Sequence, residues 1–147
     1  MNARFLTLIL ITAFVAACGR VDRELAGTWR ITRSISQGKE TQAAADRASR
    51  RNFDDGVAVT LHPTLIAGKP YEVTGRARYS VDRSTNPKTI VIEYFDGPAK
   101  GMIYHGIYEI SGDVMKICVG LNGGPTPTRF ESPVGSDTNV DYYERVR

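Results

Sequence analysis

Residues 102–121, MIYHGIYEISGDVMKICVGL, contain two runs of alternating apolar and polar side chains separated by a Ser-Gly-Asp turn. Alternation at every second position is the period of a β-strand with one buried face. Two such runs joined by a short turn are typical of a β-hairpin. The stretch therefore predicts two antiparallel strands, and it sets the pattern for most of the chain.

The same alternation recurs at short intervals on both sides of this hairpin. Further strands are predicted at residues 28–36, 57–62, 71–74, 76–82, 89–95, 129–132 and 140–146. Turn residues such as Pro63, Gly68 and Gly75 separate several of them. No helical pattern is long enough to connect parallel strands. The sequence therefore predicts an all-β fold, an antiparallel up-and-down barrel of about eight strands, although a two-sheet sandwich would fit the alternation equally.

The stretch after the first strand is polar and lacks an apolar stripe. Residues 40–52 within it are rich in alanine and arginine, which are good helix formers. A helix with no apolar face does not contribute to a core. The sequence therefore predicts one short surface helix or loop after strand 1.

Residues 1–17 differ in composition from everything after them. One arginine precedes an apolar run, FLTLILITAFV, which is too short to span a bilayer and has the layout of a secretory signal. The run ends in Val15-Ala16-Ala17-Cys18, which resembles the lipobox of bacterial lipoproteins, in which the cysteine receives diacylglycerol before cleavage. An ordinary signal peptide that ends near a cysteine is the alternative.

The lipobox resemblance implies a domain plan and a location. Residues 1–17 would be the signal peptide, residues 18–24 the lipidated N-terminus with a short tether, and residues 25–147 the barrel domain. The membrane would be a partner through the lipid on Cys18. Because Gly19 follows the cysteine, analogy with enterobacterial sorting places the protein in the cell envelope, on the periplasmic face of the outer membrane.

Composition and cysteine count exclude several classes of protein. With 147 residues, 24% charged residues and a net charge of +3 spread along the chain, the sequence is that of one ordinary globular domain rather than a nucleic-acid-binding protein. Once Cys18 is acylated, Cys118 is the only thiol, so no intramolecular disulfide is expected. Apolar neighbours on both sides of Cys118 predict a buried, inert thiol.

No arrangement of residues indicates catalysis, a metal or a cofactor. The chain has two histidines, and it lacks a Gly-x-Ser-x-Gly elbow, an HExxH or CxxC motif and a GxGxxG loop. The titratable residues considered were His62, His105, Asp54, Asp55, Asp82, Glu93, Asp137 and Asp141. All are interpreted as solvated side chains, so the protein is predicted to be no enzyme.

Tyrosine is the one enriched residue type of interest. Amphipathic aromatic side chains line both packed barrel cores and ligand pockets. The residues predicted to line a ligand are Tyr79, Tyr94, Tyr104, Tyr108 and Met115. An eight-stranded barrel is wide enough either to be filled by side chains or to hold one small ligand, so both outcomes stay open.

Several blocks in the second half of the chain resemble one family. They are NPKTI (86–90), DGPAKG (96–101), GIYEISGD (106–113), KIC (116–118) and FESP (130–133). In this order they are similar to a small lipocalin-like family described as a planctomycete uncharacterised domain. The resemblance covers residues 25–147, with departures at Val91 and at Thr126-Pro127. It implies an up-and-down barrel and no activity, because that family is itself uncharacterised.

Gly27-Thr28-Trp29 on the first strand is similar to the lipocalin Gly-x-Trp signature. This resemblance implies that Trp29 closes one end of the barrel and that an arginine of the last strand lies over its ring. Arg147 is the first candidate for that arginine and Arg145 the second. Such a contact is structural and contributes on the order of 1 kcal/mol.

Two functional hypotheses from different classes follow. The first is a lipid-anchored, non-enzymatic envelope protein that binds a small apolar or amphipathic molecule inside the barrel. The second is a packed-core module that binds another envelope protein through its loops at residues 37–55 and 122–139. A hollow barrel would favour the first, whereas a filled barrel with exposed apolar loops would favour the second.

Overall fold

The computed structural model describes residues 22–41 and 48–147. The predicted signal peptide and Cys18 lie outside the described residues. Nine strands follow one another, and no helix occurs in this part of the chain. The described residues accordingly contain no helix that is long and apolar enough to cross a membrane. The strands are β1 (Gly27–Ser36), β2 (Lys39–Thr41), β3 (Arg50–Asp54), β4 (Val57–Ile66), β5 (Lys69–Asp82), β6 (Lys88–Asp96), β7 (Ile103–Ser111), β8 (Val114–Gly120) and β9 (Thr138–Arg145).

The sheet closes on itself. From β3 onward each strand pairs antiparallel with the next, β1 pairs with β3, and β9 returns to pair with β1, from Trp29 opposite Arg145 to Ser36 opposite Asn139. The short strand β2 pairs only with the second half of β1. The prediction of an antiparallel up-and-down barrel of about eight strands is confirmed. The β1–β9 pairing excludes the sandwich.

The predicted short helix is wrong for the residues that the structure describes. Residues 39–41 and 50–54 are strands, and residues 42–47 lie outside the described residues. In β3, Phe53 is buried, and the strand is hydrogen-bonded to β1 on one side and β4 on the other. Closing the barrel needs a strand here, and this pairing outweighs the helix propensity of the arginines.

Two other local predictions fail for identifiable reasons. Gly75 was expected in a turn, yet β5 runs through it without a break. A Cβ at this position would lie 3.2 Å from the Tyr94 ring, so the glycine makes room for that ring. Residues 129–132 were expected to be a strand and are irregular. Phe130 instead packs over a small cluster on the outer face of the barrel.

That outer cluster contains the second cysteine. Cys118 is fully buried with Ile107 and Val140, and its thiol is free. Burial raises the pKa of the Cys118 thiol to about 11, so the thiolate is scarce at neutral pH. The prediction that Cys118 is buried is confirmed.

A short segment before β1 closes one end of the barrel, which we call the closed end. Leu25 and Trp29 are fully buried there, and the Trp29 Nε1–H donates a hydrogen bond of 2.7 Å to the Leu25 carbonyl. Asp22 is also fully buried and accepts a hydrogen bond of 2.7 Å from the Tyr108 hydroxyl. Sequence analysis had assigned Asp22 to a polar tether, but its side chain belongs to the barrel.

Two cations support the buried Asp22 carboxylate. Arg83 Nε and Lys88 Nζ each lie 3.7 Å from its Oδ2. Burial alone would raise the pKa of Asp22, but the Tyr108 hydrogen bond, a backbone amide and these cations outweigh burial, and the pKa is lowered. The carboxylate is therefore charged at neutral pH, and it ties the N-terminal segment to β6 and β7.

Arg145 on β9 fastens the closed end from outside. Its guanidinium lies 4.0 Å from the centroid of the Trp29 ring and donates to the carbonyls of Ala26 (2.7 Å) and Glu24 (2.8 Å). The first candidate for this role, Arg147, lies beyond the end of β9 and contacts Asp113. The arginine over the tryptophan is thus Arg145, because only that residue is opposite Trp29 in the β1–β9 register.

We expect Arg145→Met to lower the free energy of unfolding by about 2 kcal/mol, because it removes a cation–π contact and two charge-assisted hydrogen bonds. Arg147→Met is the matched control and should change it by less than about 0.5 kcal/mol, since it removes one exposed ion pair. Urea unfolding of the two variants measures the difference. Equal losses would contradict the assignment.

Candidate functional site

The interior of the barrel is filled at the closed end and hollow at the other. Fully buried side chains such as Trp29, Phe53 and Met115 pack the closed half. The other half holds a cavity of about 290 Å³. Its wall is mainly aliphatic, with contributions from Ile31, Val73, Ile92, Ile117, Val119 and Leu121.

The cavity opens at the end of the barrel opposite Asp22, which we call the open end. In an antiparallel meander alternate connections lie at the same end. The β4–β5, β6–β7 and β8–β9 connections therefore share one end, and Pro98, Ala99 and Leu121 from two of them line the cavity. The β5–β6 connection, which contains Arg83, lies at the closed end.

The β4–β5 hairpin extends past its neighbours at the open end. Strand β3 pairs with β4 only as far as Leu61, and β6 pairs with β5 only as far as Arg76. Beyond these points the two strands pair only with each other. His62 and Val73 from this projecting part line the cavity, while the tip exposes Leu65, Ile66 and Tyr71. The hairpin thus forms one wall of the mouth.

The five residues predicted to line a ligand divide between the two halves. Tyr94 and Tyr104 line the cavity, with their rings edge to face at a centroid distance of 5.8 Å. Tyr79, Tyr108 and Met115 are buried in the packed half. The two groups share the inner face, and only their height along the barrel separates them.

Arg51 is the cation of the cavity. It lies on β3 opposite Thr60 in the register, and its Nε–H donates a hydrogen bond of 3.1 Å to the Thr60 hydroxyl. One terminal nitrogen donates to the Tyr94 hydroxyl at 3.3 Å, and the guanidinium lies 5.8 Å from the Tyr143 ring centroid. Burial disfavours the charged form, but the phenolic groups and Asp141 outweigh it and raise the pKa of Arg51.

Asp141 on β9 also lines the cavity, and its oxygens already have donors. Oδ1 accepts hydrogen bonds from the Ser34 hydroxyl at 2.6 Å and the Asn139 amide at 2.8 Å, and Oδ2 accepts one from the Tyr143 hydroxyl at 3.3 Å. Among the described residues, no carboxylate lies within ion-pair distance, 4.0 Å, of the Arg51 guanidinium. The two charges therefore share the cavity without pairing.

Sequence analysis missed both charged residues of the cavity. Arg51 fell inside the stretch interpreted as a polar helix or loop, although it alternates with Phe53 at the period of a strand. Asp141 was interpreted as solvated, although it shares the inner face with Tyr143, two residues later. A strand pattern allowed to contain one inward charge would have identified each of them.

The remaining titratable residues do not converge. The His62 ring lies at the mouth with its Nδ1 3.0 Å from the Ser49 hydroxyl, and His105 is exposed on β7. No group of three or more His, Cys, Asp or Glu side chains within the described ranges is placed to hold a metal ion.

Comparison of the chain with protein-family models, with curated proteins and with solved structures finds no match. The functional argument therefore depends on the cavity and its two charged residues.

Proposed function

We propose that this chain is a lipoprotein of the bacterial cell envelope whose barrel binds a small apolar or amphipathic molecule. The observation that supports it is the aliphatic cavity of about 290 Å³. Protein interiors are normally packed to crystal density, and the closed half of this barrel is. A hollow of this size in the other half, open at one end, is the form of a ligand site.

The cavity volume limits the size of the ligand. A water molecule takes about 30 Å³ of liquid volume. A cavity of about 290 Å³ therefore accommodates roughly ten non-hydrogen atoms of similar size. This matches a medium-length alkyl chain with a small head group, and a longer chain would extend through the mouth.

The anchor we propose on Cys18 would orient the barrel. Asp22 lies at the closed end, and the four residues from Cys18 to Asp22 span at most about 14 Å when extended. The closed end would therefore face the membrane that holds the lipid, with the mouth turned away from it. This arrangement favours exchange of the ligand with a partner or carrier in the periplasm, and the identity of that protein partner is left unassigned.

The alternative, a packed-core module that binds another protein through its loops, has less support. Its premise is a filled barrel, and the open half is hollow. Phe130, the one aromatic residue in the β8–β9 connection, covers the outer face of the barrel instead of projecting outward. Val134 is the exposed large apolar residue of that connection.

Filling the cavity tests the proposed binding. Every barrel pairing and every contact at the closed end lies within residues 22–147, so the chain from Gly19 onward can be produced without signal and lipid. We expect native mass spectrometry to show a small molecule that is lost on denaturation or bound after incubation with membrane lipid extract. Val119→Phe should abolish this binding, because the new ring occupies the cavity.

Val91→Phe is the matched control for Val119→Phe. Val91 lies between the buried residues Ile90 and Ile92 on β6 and faces outward. It therefore adds the same bulk outside the cavity, and binding should be unchanged. Binding lost equally in both variants, or absent from the unmodified chain, would contradict the proposal.

The two cysteines of the chain provide a matched test of the anchor. In bacteria that express the full-length chain, Cys18→Ser should abolish incorporation of labelled palmitate and release the protein from the membrane fraction. Cys118→Ser should leave both unchanged, because that thiol is buried in the outer cluster. Labelling that persists in Cys18→Ser would refute lipidation at this position.

A further inference from the structure

Arg51 is a cation at the inner end of an aliphatic cavity, and its hydrogen-bonding capacity is only partly used. A guanidinium carries five N–H donors in a rigid fork. In the described part of the chain, one donor is taken by Thr60 and one by Tyr94, the latter at the long distance of 3.3 Å. The remaining donors have no protein acceptor there.

We infer that Arg51 binds the carboxylate head of a single-chain amphiphile whose alkyl tail occupies the cavity. The inference rests on the proposed function and names the class of ligand. A planar carboxylate matches the guanidinium fork and can accept two parallel hydrogen bonds from it. The Tyr94 and Thr60 hydroxyls beside Arg51 fix the position of the fork.

Asp141 does not fill this role. Its two oxygens accept hydrogen bonds from Ser34, Asn139 and Tyr143, so the carboxylate is held on the β9 side of the cavity. An Arg51 charge without a close counter-ion in an aliphatic cavity is unfavourable, because charge is poorly solvated there. A ligand carboxylate supplies the missing counter-ion and gains a desolvated, charge-assisted contact.

The rest of the wall sets the direction of the ligand. From Arg51 towards the open end the lining is aliphatic, with Val119, Val73 and Leu121 in turn on β8, the projecting hairpin and the β8–β9 connection. The head would therefore enter first and the tail would follow. The cavity size matches an eight-carbon acid, which has the roughly ten non-hydrogen atoms that fit.

Isothermal titration calorimetry of the chain from Gly19 onward, with three ligands of equal chain length, tests this inference. The probes are octanoate, octan-1-ol and octylamine at pH 7. Octanoate should bind at least about tenfold more tightly than octanol, since a bidentate charged contact is added to the same tail. Octylamine should bind most weakly, because its ammonium group meets Arg51.

Arg51→Gln removes the charge, and Arg50→Gln is its matched control. Arg50 precedes Arg51 on β3, is exposed and lies 3.7 Å from Glu72. Each substitution removes one positive charge from the same strand, but only Arg51→Gln should erase the preference for octanoate over octanol. Arg51→Lys keeps the charge without the fork and should retain part of the preference. Urea unfolding establishes that each variant is folded.

The outcomes separate this inference from the proposed function. If octanol binds as tightly as octanoate, or octylamine binds best, the carboxylate site is refuted while the apolar site stands. If none of the three ligands binds the unmodified chain, both are refuted. The comparison of ligands needs no variant, so a failure of Arg51→Gln to fold leaves the test intact. A preference lost equally in Arg50→Gln would show a nonspecific charge effect and refute the site.

Discussion

The structure depends on the contact between Trp29 and Arg145 at the closed end of the barrel. The indole gives its N–H to Leu25, and the guanidinium covers the ring while it donates to Ala26 and Glu24. These contacts join the first strand, the last strand and the segment before the barrel. Because the core at this end is fully packed, the other half can remain hollow at a tolerable cost in stability.

The architecture was predictable from the sequence because it follows from alternation. Inward positions such as Ile90, Ile92 and Ile117 repeat with a period of two, and turn residues separate the runs. Closure of the sheet was expected only from the family resemblance, because a pairing between the first and last strands leaves no local signal. The resemblance itself remains a proposal.

The cavity residues were only partly predictable, for a physical reason. Tyr94 and Tyr79 both lie on the inner face, and the periodicity that identifies this face cannot tell the packed half from the hollow one. Arg51 escaped because an arginine on an inner face breaks the binary pattern. Such exceptions are expected where function, rather than stability, determines the residue.

The central claim is a barrel sealed near its N-terminal segment that takes its ligand in the opposite half. Methyl-resolved NMR spectra of the chain from Gly19 onward, titrated with octanoate, test it most directly. The account predicts shifts of the Ile92, Ile117 and Val119 methyl signals, while those of Ile90 and Met115 in the packed half stay in place. Shifts centred on Ile90 and Met115, or no shifts at all, would contradict it.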